Sequence, residues 1–250
     1  MLEIHGPPQG QPVVLLHHGL GAVRSWRGQF PALAAAGYRA IAYDRWGFGR
    51  SDPRQVYAIP NFQEDVADLK LLLKELDINQ PALIGHSDGG KVAMYYAAAY
   101  PGKVAALVLI ATHAYIEPKM EDGIRQMWEQ YGQDARFRGQ LGRVHGDQAE
   151  AVFQGWFSGW INPGNAGWDL RPLLREIDCP ALVVQGLEDE HASPGHARQI
   201  AAALPNAGLW LAPDAGHMLP QDFPQALNTK LVDFLANVYL ANRVVGTSAA

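Results

Sequence analysis

Short apolar runs rich in β-branched residues recur along this chain at residues 13–17, 39–43, 82–85, 104–110 and 181–184, with a weaker run at 207–211. Each is apolar on both of its faces, which is how the strands of a parallel sheet covered on both sides read. One further short strand fits before them, at residues 2–5. Helical patterns lie between the runs. Asn61 and Glu64 read as a capping box, after which Phe62, Val66, Leu69, Leu73 and Leu76 follow at helical spacing. Pro224 suits the first position of a last helix whose buried stripe is Leu227, Leu231, Phe234, Leu235 and Val238. Strands that alternate with helices specify βαβ units, hence an α/β fold with a mostly parallel sheet of about seven strands.

The chain has 250 residues, 48% of them hydrophobic, enough for a sizeable core without disulfide or metal support. Its single cysteine, Cys179, excludes an internal disulfide framework and a multi-cysteine metal cluster. Acidic residues outnumber basic ones, 25 to 20, for a net charge of −5, which argues against a nucleic-acid partner. The longest apolar run, at 104–111, is too short to span a bilayer. The opening MLEIHGPPQG carries no basic stretch followed by an apolar one, so a cytoplasmic protein with no membrane partner is expected. A short polar tail at 246–250 is expected to fray.

The alternation stops between about Ala114 and Arg171. No strand is evident there, and the segment carries Trp128, Trp156, Trp160 and Trp168 together with Tyr115, Tyr131, Phe137, Phe153 and Phe157. Because it follows the C-terminal end of a strand, it reads as a helical cap over a pocket at the strand ends, where open α/β sheets bind ligands. The expected organisation is a core of residues 1–113 and 172–250 with a helical cap at 114–171.

The run at 82–85 leads into Gly85-His86-Ser87-Asp88-Gly89 and then a helical stretch. This is G-x-S-x-G in a strand–turn–helix setting. Glycines two residues either side of the serine let the backbones approach closely around a sharp turn. The exposed hydroxyl then stands at a helix N-terminus, where backbone N–H groups favour developing negative charge. A serine nucleophile needs a base, and the base an orienting acid. Of nine histidines, His217 in Asp214-Ala215-Gly216-His217 lies after the last strand and before the last helix, at the strand C-terminal end. His86 reads as a packed or oxyanion-supporting group beside the serine. His17, His18 and His113 follow strands and are pocket candidates, and no third ligand at a recognisable spacing makes them a metal site. The run at 181–184 ends in Gly186-Leu187-Glu188-Asp189-Glu190, where Asp189 is the preferred acid over Glu188 and Glu190. Gly47-Phe48-Gly49 lacks the third glycine of a dinucleotide-binding loop, position 52 being Asp52, so no nicotinamide or flavin cofactor is expected.

With these motifs the chain resembles the α/β-hydrolase superfamily over essentially its full length. The matching segments are His18-Gly19-Leu20-Gly21, the loop from Tyr43 to Ser51, the serine pentapeptide, Gly186-Leu187-Glu188-Asp189 and Gly216-His217. The resemblance implies a Ser87–Asp189–His217 triad with the backbone N–H groups of Leu20 and Asp88 as oxyanion donors, and no metal or organic cofactor. It also implies that the family's first edge strand is missing here. The aspartate after the serine, with Ala111-Thr112-His113-Ala114-Tyr115 and the cap, is similar to the valacyclovirase subgroup, which cleaves α-amino-acid esters. Two readings of Asp88 therefore stand: a helix-terminus charge stabilised by the dipole, or a counter-ion for a substrate ammonium. The expected activity is acyl transfer from a small carboxylic ester to water, with amino-acid esters as the alternative and lactones, peracids and carbon–carbon bonds further off. Candidate substrate contacts are Asp88, His18, Trp26, His113, Met127, Trp128, Trp156 and Trp160; Trp46, like Trp26, is an aromatic that either packs or lines the pocket.

Overall fold

A computed structural model describes residues 1–247. The last three of the tail residues expected to fray lie outside the described residues. Seven strands form one sheet in the order β1-β3-β2-β4-β5-β6-β7. They are β1 (Leu2–His5), β2 (Pro12–Leu16), β3 (Arg39–Tyr43), β4 (Ala82–His86), β5 (Ala106–Ile110), β6 (Ala181–Gly186) and β7 (Ala207–Ala212). Only β1 runs antiparallel, against β3. The other pairings are parallel, as the two-sided apolar runs require.

The side-chain period of two splits the inner strands between two cores. Val14 and Leu16 of β2 join Leu83, Leu107, Leu109 and Val183 on one face. Val13 and Leu15 join Ile84, Val108, Ile110 and Val184 on the other. Helices α1 (Phe30–Ala35), α2 (Gln63–Glu75), α3 (Asp88–Ala99), α7 (Pro194–Ala203), α8 (Leu219–Asp222) and α9 (Pro224–Thr247) belong to the strand–helix alternation. Between β5 and β6 the chain instead forms α4 (Pro118–Gln133), α5 (Ala135–His145) and α6 (Ala149–Ile161), with short 3-10 turns and one isolated bridge, Tyr115 to Asp169.

The chain leaves β2 for β3 on one side and returns to place β4 on the other. That reversal opens a crevice beyond the C-terminal ends of β2 and β4, the place where sheets of this kind bind ligands. The loops that follow these two strands carry His18–Leu20 and Ser87.

The N-terminus of α2 departs from expectation. Phe62, not Asn61, is the capping residue; it takes a left-handed φ of 49°, and no side chain caps the helix. The cause is tertiary. Asn165 donates to the Ile59 carbonyl, and glycines of α6 admit the rings and branches of this segment: a Cβ on Gly155 would sit 2.1 Å from Tyr57, and one on Gly159 2.6 Å from Ile59. The inserted helices therefore dictate how the chain enters α2.

Candidate active site

Ser87 sits between β4 and α3 at φ 53° and ψ −114°, a strained conformation for a residue with a side chain. It is held there by its own N–H, which donates to the Ile110 carbonyl at 2.8 Å. The turn is closed by glycine packing: a Cβ on Gly89 would lie 2.0 Å from the Leu16 carbonyl oxygen. Any larger residue would push α3 off β2, so the close approach that the pentapeptide implied is physically required.

His217, on the loop after β7, is fixed from several directions. Its Nδ1 lies 3.0 and 3.1 Å from the two carboxylate oxygens of Asp189. Its N–H donates to Glu190 at 3.0 Å, and its carbonyl accepts from His86 Nε2 at 2.8 Å. Asp189 is fully buried. Besides His217 it accepts from Gln185 and from the backbone N–H groups of His191 and Ala192. Burial alone would raise its carboxyl; the charge and hydrogen bonds of His217 and the two N–H groups outweigh that and hold it below the usual carboxylate range. With Nδ1 committed to Asp189, Nε2 is the ring nitrogen left for the cavity. Ser87 and His217 line the same cavity. No hydrogen bond joins their side chains in this structure, and such contacts commonly tighten only around a bound substrate.

The cavity measures about 790 Å³, within the range of small-molecule sites. Its wall comes from the loop after β2 (His18–Gly21), from the Ser87 turn, from the loops around Glu190 and His217, and from α4, α5 and α6. The inserted helices thus form part of the site. His145 of α5 ties them to it. It accepts from the Gly49 N–H at 2.9 Å through Nδ1, so its Nε2 donates to the Leu20 carbonyl, 3.1 Å away. Burial disfavours the charged form of three histidines of the cavity wall, His18, His113 and His191. Burial, with repulsion from His217, lowers His18 to about 3. Burial also lowers His191 to about 4 and His113 well below its ordinary value.

Of the expected substrate contacts, His18, Asp88, His113, Met127, Trp156 and Trp160 line this cavity. Two do not. Trp26 is 1% exposed and packs with Val23 and Phe30 in the core on the far side of the sheet. Trp128 faces outward, stacked on Phe157 at 4.3 Å. The reason is helical phase. Met120, Ile124 and Met127 of α4 share the stripe that faces the cavity, and the next residue is turned about 100° away. Trp46 is likewise outside, exposed and donating to the Pro53 carbonyl. His17 does not reach the cavity either; it is buried, accepts from the Arg45 N–H at Nε2 and therefore donates from Nδ1 to the His18 carbonyl.

Sequence reasoning missed Lys91. It is fully buried, one turn along α3 from the serine, and its ammonium lies 2.9 Å from Asp88 Oδ1. The second carboxylate oxygen of Asp88 is 3.4 Å from the Trp160 indole nitrogen, and the Lys91 ammonium stands 4.6 Å from the centre of the Trp160 ring. Burial would raise the Asp88 carboxyl; the cations Lys91 and Arg45 more than offset this, so Asp88 is ionised. The i,i+3 spacing of Asp88 and Lys91 was a readable sign of the pair.

A family model described as the α/β hydrolase fold matches residues 12–141. A non-heme chloroperoxidase of Streptomyces lividans is 32% identical over 261 residues, covering 92% of this chain and 93% of that protein. The serine hydrolase BPHL of Homo sapiens is 30% identical over 210 residues, covering 79% of this chain and 69% of that protein. Among solved structures, a hydrolase from Pseudomonas aeruginosa PA01 superposes with a TM-score of 0.75 at 25% identity, covering 94% of this chain and 93% of that one. The chain is a hydrolase of the α/β-hydrolase fold family.

Proposed function

We propose that the protein hydrolyses small, uncharged carboxylic esters through an acyl-enzyme at Ser87. The observation that carries this reading is the strained Ser87 turn opening into the same cavity as His217, whose Nδ1 is held by the buried Asp189. In the proposed reaction His217 Nε2 takes the Ser87 proton as Oγ adds to the ester carbonyl. The Leu20 and Asp88 N–H groups hold the resulting oxyanion, each worth roughly 3 kcal/mol of barrier. The imidazolium returns the proton to the departing alkoxide, which leaves as the alcohol. Water then loses a proton to His217, attacks the acyl group and releases the acid, restoring the Ser87 hydroxyl.

The substrate class follows from the wall of the cavity. Met120, Ile124, Met127, Trp156 and Trp160 offer apolar surface, and the carboxylate nearest the serine has both oxygens engaged within the protein. The helices at 118–161 act in this reading as a cap. The serine hydrolase BPHL is a relative whose name fits this chemistry.

A fluorophosphonate probe tests the nucleophile. Wild-type protein is expected to be labelled and Ser87→Ala not, with methyl 3-phenylpropionate hydrolysed only by the former. Wild-type protein that neither labels nor turns over the ester would sink the proposal.

A further inference from the structure

Asp88 lies where a charge matters most. A Cβ on Gly19 would fall 2.5 Å from Asp88 Oδ2 and 2.2 Å from the Trp156 indole nitrogen. The carboxylate is therefore wedged between the loop that carries Leu20 and the tryptophans of α6. It stands one residue after the nucleophile and lines the cavity. A bare carboxylate there would oppose any oxyanion forming nearby and would attract any cation entering the cavity.

No cation needs to enter, because one is already present. The Lys91 ammonium pairs with Oδ1 at 2.9 Å, is wholly buried and rests against the Trp160 ring. The indole N–H of the same tryptophan covers Oδ2. A buried aromatic face beside a buried carboxylate makes a binding site for an organic ammonium. Here the chain's own lysine fills that site from the inner side.

We propose that Lys91 is a specificity-determining residue: it occupies the ammonium site formed by Asp88 and Trp160 and so turns the cavity toward esters that carry no positive charge beside the carbonyl. This rests on the ester-hydrolase reading above. Removing the lysine charge uncovers the carboxylate, and a substrate ammonium then takes its place.

The test compares phenylalanine methyl ester with methyl 3-phenylpropionate, which lacks only the α-amino group. The quantity read is the ratio of kcat/KM, aminated over neutral, in wild type, Lys91→Gln, Lys91→Arg and Asp88→Asn/Lys91→Gln. Glutamine retains an N–H for the carboxylate, which protects the fold, and circular dichroism confirms that each variant is folded. In Lys91→Gln the ratio is expected to rise at least tenfold. In Lys91→Arg, which keeps the cation, it stays near the wild-type value. In the double variant, which has neither charge, it returns toward wild type. A Lys91→Gln ratio unchanged from wild type in a folded protein overturns the proposal, as does an equal rise in the double variant. Wild-type protein inactive on both esters refutes the ester reading instead, so the two failures are distinct.

Discussion

Replacing Asp189 by Asn tests the role of the buried carboxylate at little cost to the fold. Oδ1 accepts from the N–H groups of His191 and Ala192, and Oδ2 accepts from Gln185. Both oxygens also face His217 Nδ1. An asparagine must put its oxygen at one position and its NH2 at the other. Placing NH2 at the Oδ1 position would leave two buried backbone donors unpaired, at roughly 1–3 kcal/mol each. The oxygen therefore stays at Oδ1, favoured by at least about 2 kcal/mol, a factor of ~30. At the Oδ2 position Gln185 can adapt by turning its amide over, because its Oε1 has no partner in the native arrangement. His217 cannot adapt without harm. The NH2 at the Oδ2 position, 3.0 Å from Nδ1, competes with the oxygen kept at 3.1 Å and favours the tautomer with the ring proton on Nε2, in which the base cannot take the Ser87 proton. Losing the negative charge behind the imidazolium carries the total toward about 10⁴ in kcat, near 5 kcal/mol of barrier. The assay is kcat on methyl 3-phenylpropionate, run beside thermal melts of both proteins. A folded Asp189→Asn enzyme that loses less than tenfold in kcat would refute this account of the acid.

Other outcomes follow from the same geometry. Gly19→Ala places a Cβ 2.2 Å from Trp156 and 2.5 Å from Asp88, which must displace the loop carrying Leu20. A loss of about 10²–10³ in kcat is expected, the scale of one misplaced oxyanion donor, and unchanged kinetics would show that the loop yields elsewhere. Asp65 is buried and binds Arg45 at 2.9 Å and Arg54 at 3.1 Å. Asp65→Ala removes the carboxylate that pairs buried Arg45 and leaves Arg54 with Glu64 alone, and is expected to cost about 3–5 kcal/mol in urea unfolding; less than 1 kcal/mol would contradict it. Burial lowers His17, His18, His86, His113 and His191 from the ordinary 6.5. Below pH ~6.5 the unfolded chain binds protons that the folded chain refuses, so stability falls as the pH drops from there toward the lowered values, each histidine adding up to about 1.4 kcal/mol per pH unit. Stability measured across pH 4.5–7 should show this slope, and a flat profile would overturn it. His113→Asn should make the slope shallower.

The strands were legible because both faces of each run are apolar, and β3 falls on residues 39–43 as read. Helix α9 begins at Pro224 because proline needs no N–H partner there. The start of α2 was not legible, since contacts from residues about a hundred positions later decide it. Within the acidic run after β6, the family resemblance favoured Asp189, but the part played by Glu190 was invisible: it accepts the His217 N–H and also lines the cavity, so it is more than a solvated charge. Trp26 and Trp128 show the limit of composition, because an aromatic ring looks the same in sequence whether it faces a core, a cavity or water. Lys91 shows the reverse. A lysine on a helix ordinarily reads as the wet face, but α3 is buried over most of its circumference, from Asp88 through Met94.

Trp156 and Trp160 bear on how this enzyme can be engineered. One packs against Gly19 and the other against the Asp88–Lys91 pair. A foreign insertion grafted between β5 and β6 would therefore do more than reshape the cavity. Unless it restored an indole in each place, it would leave a hole beside the loop of Leu20 and a salt bridge stripped of one of its walls. The inserted helices and the cavity wall around Ser87 are not interchangeable parts, and libraries that diversify the helices at 118–161 should hold these two tryptophans fixed.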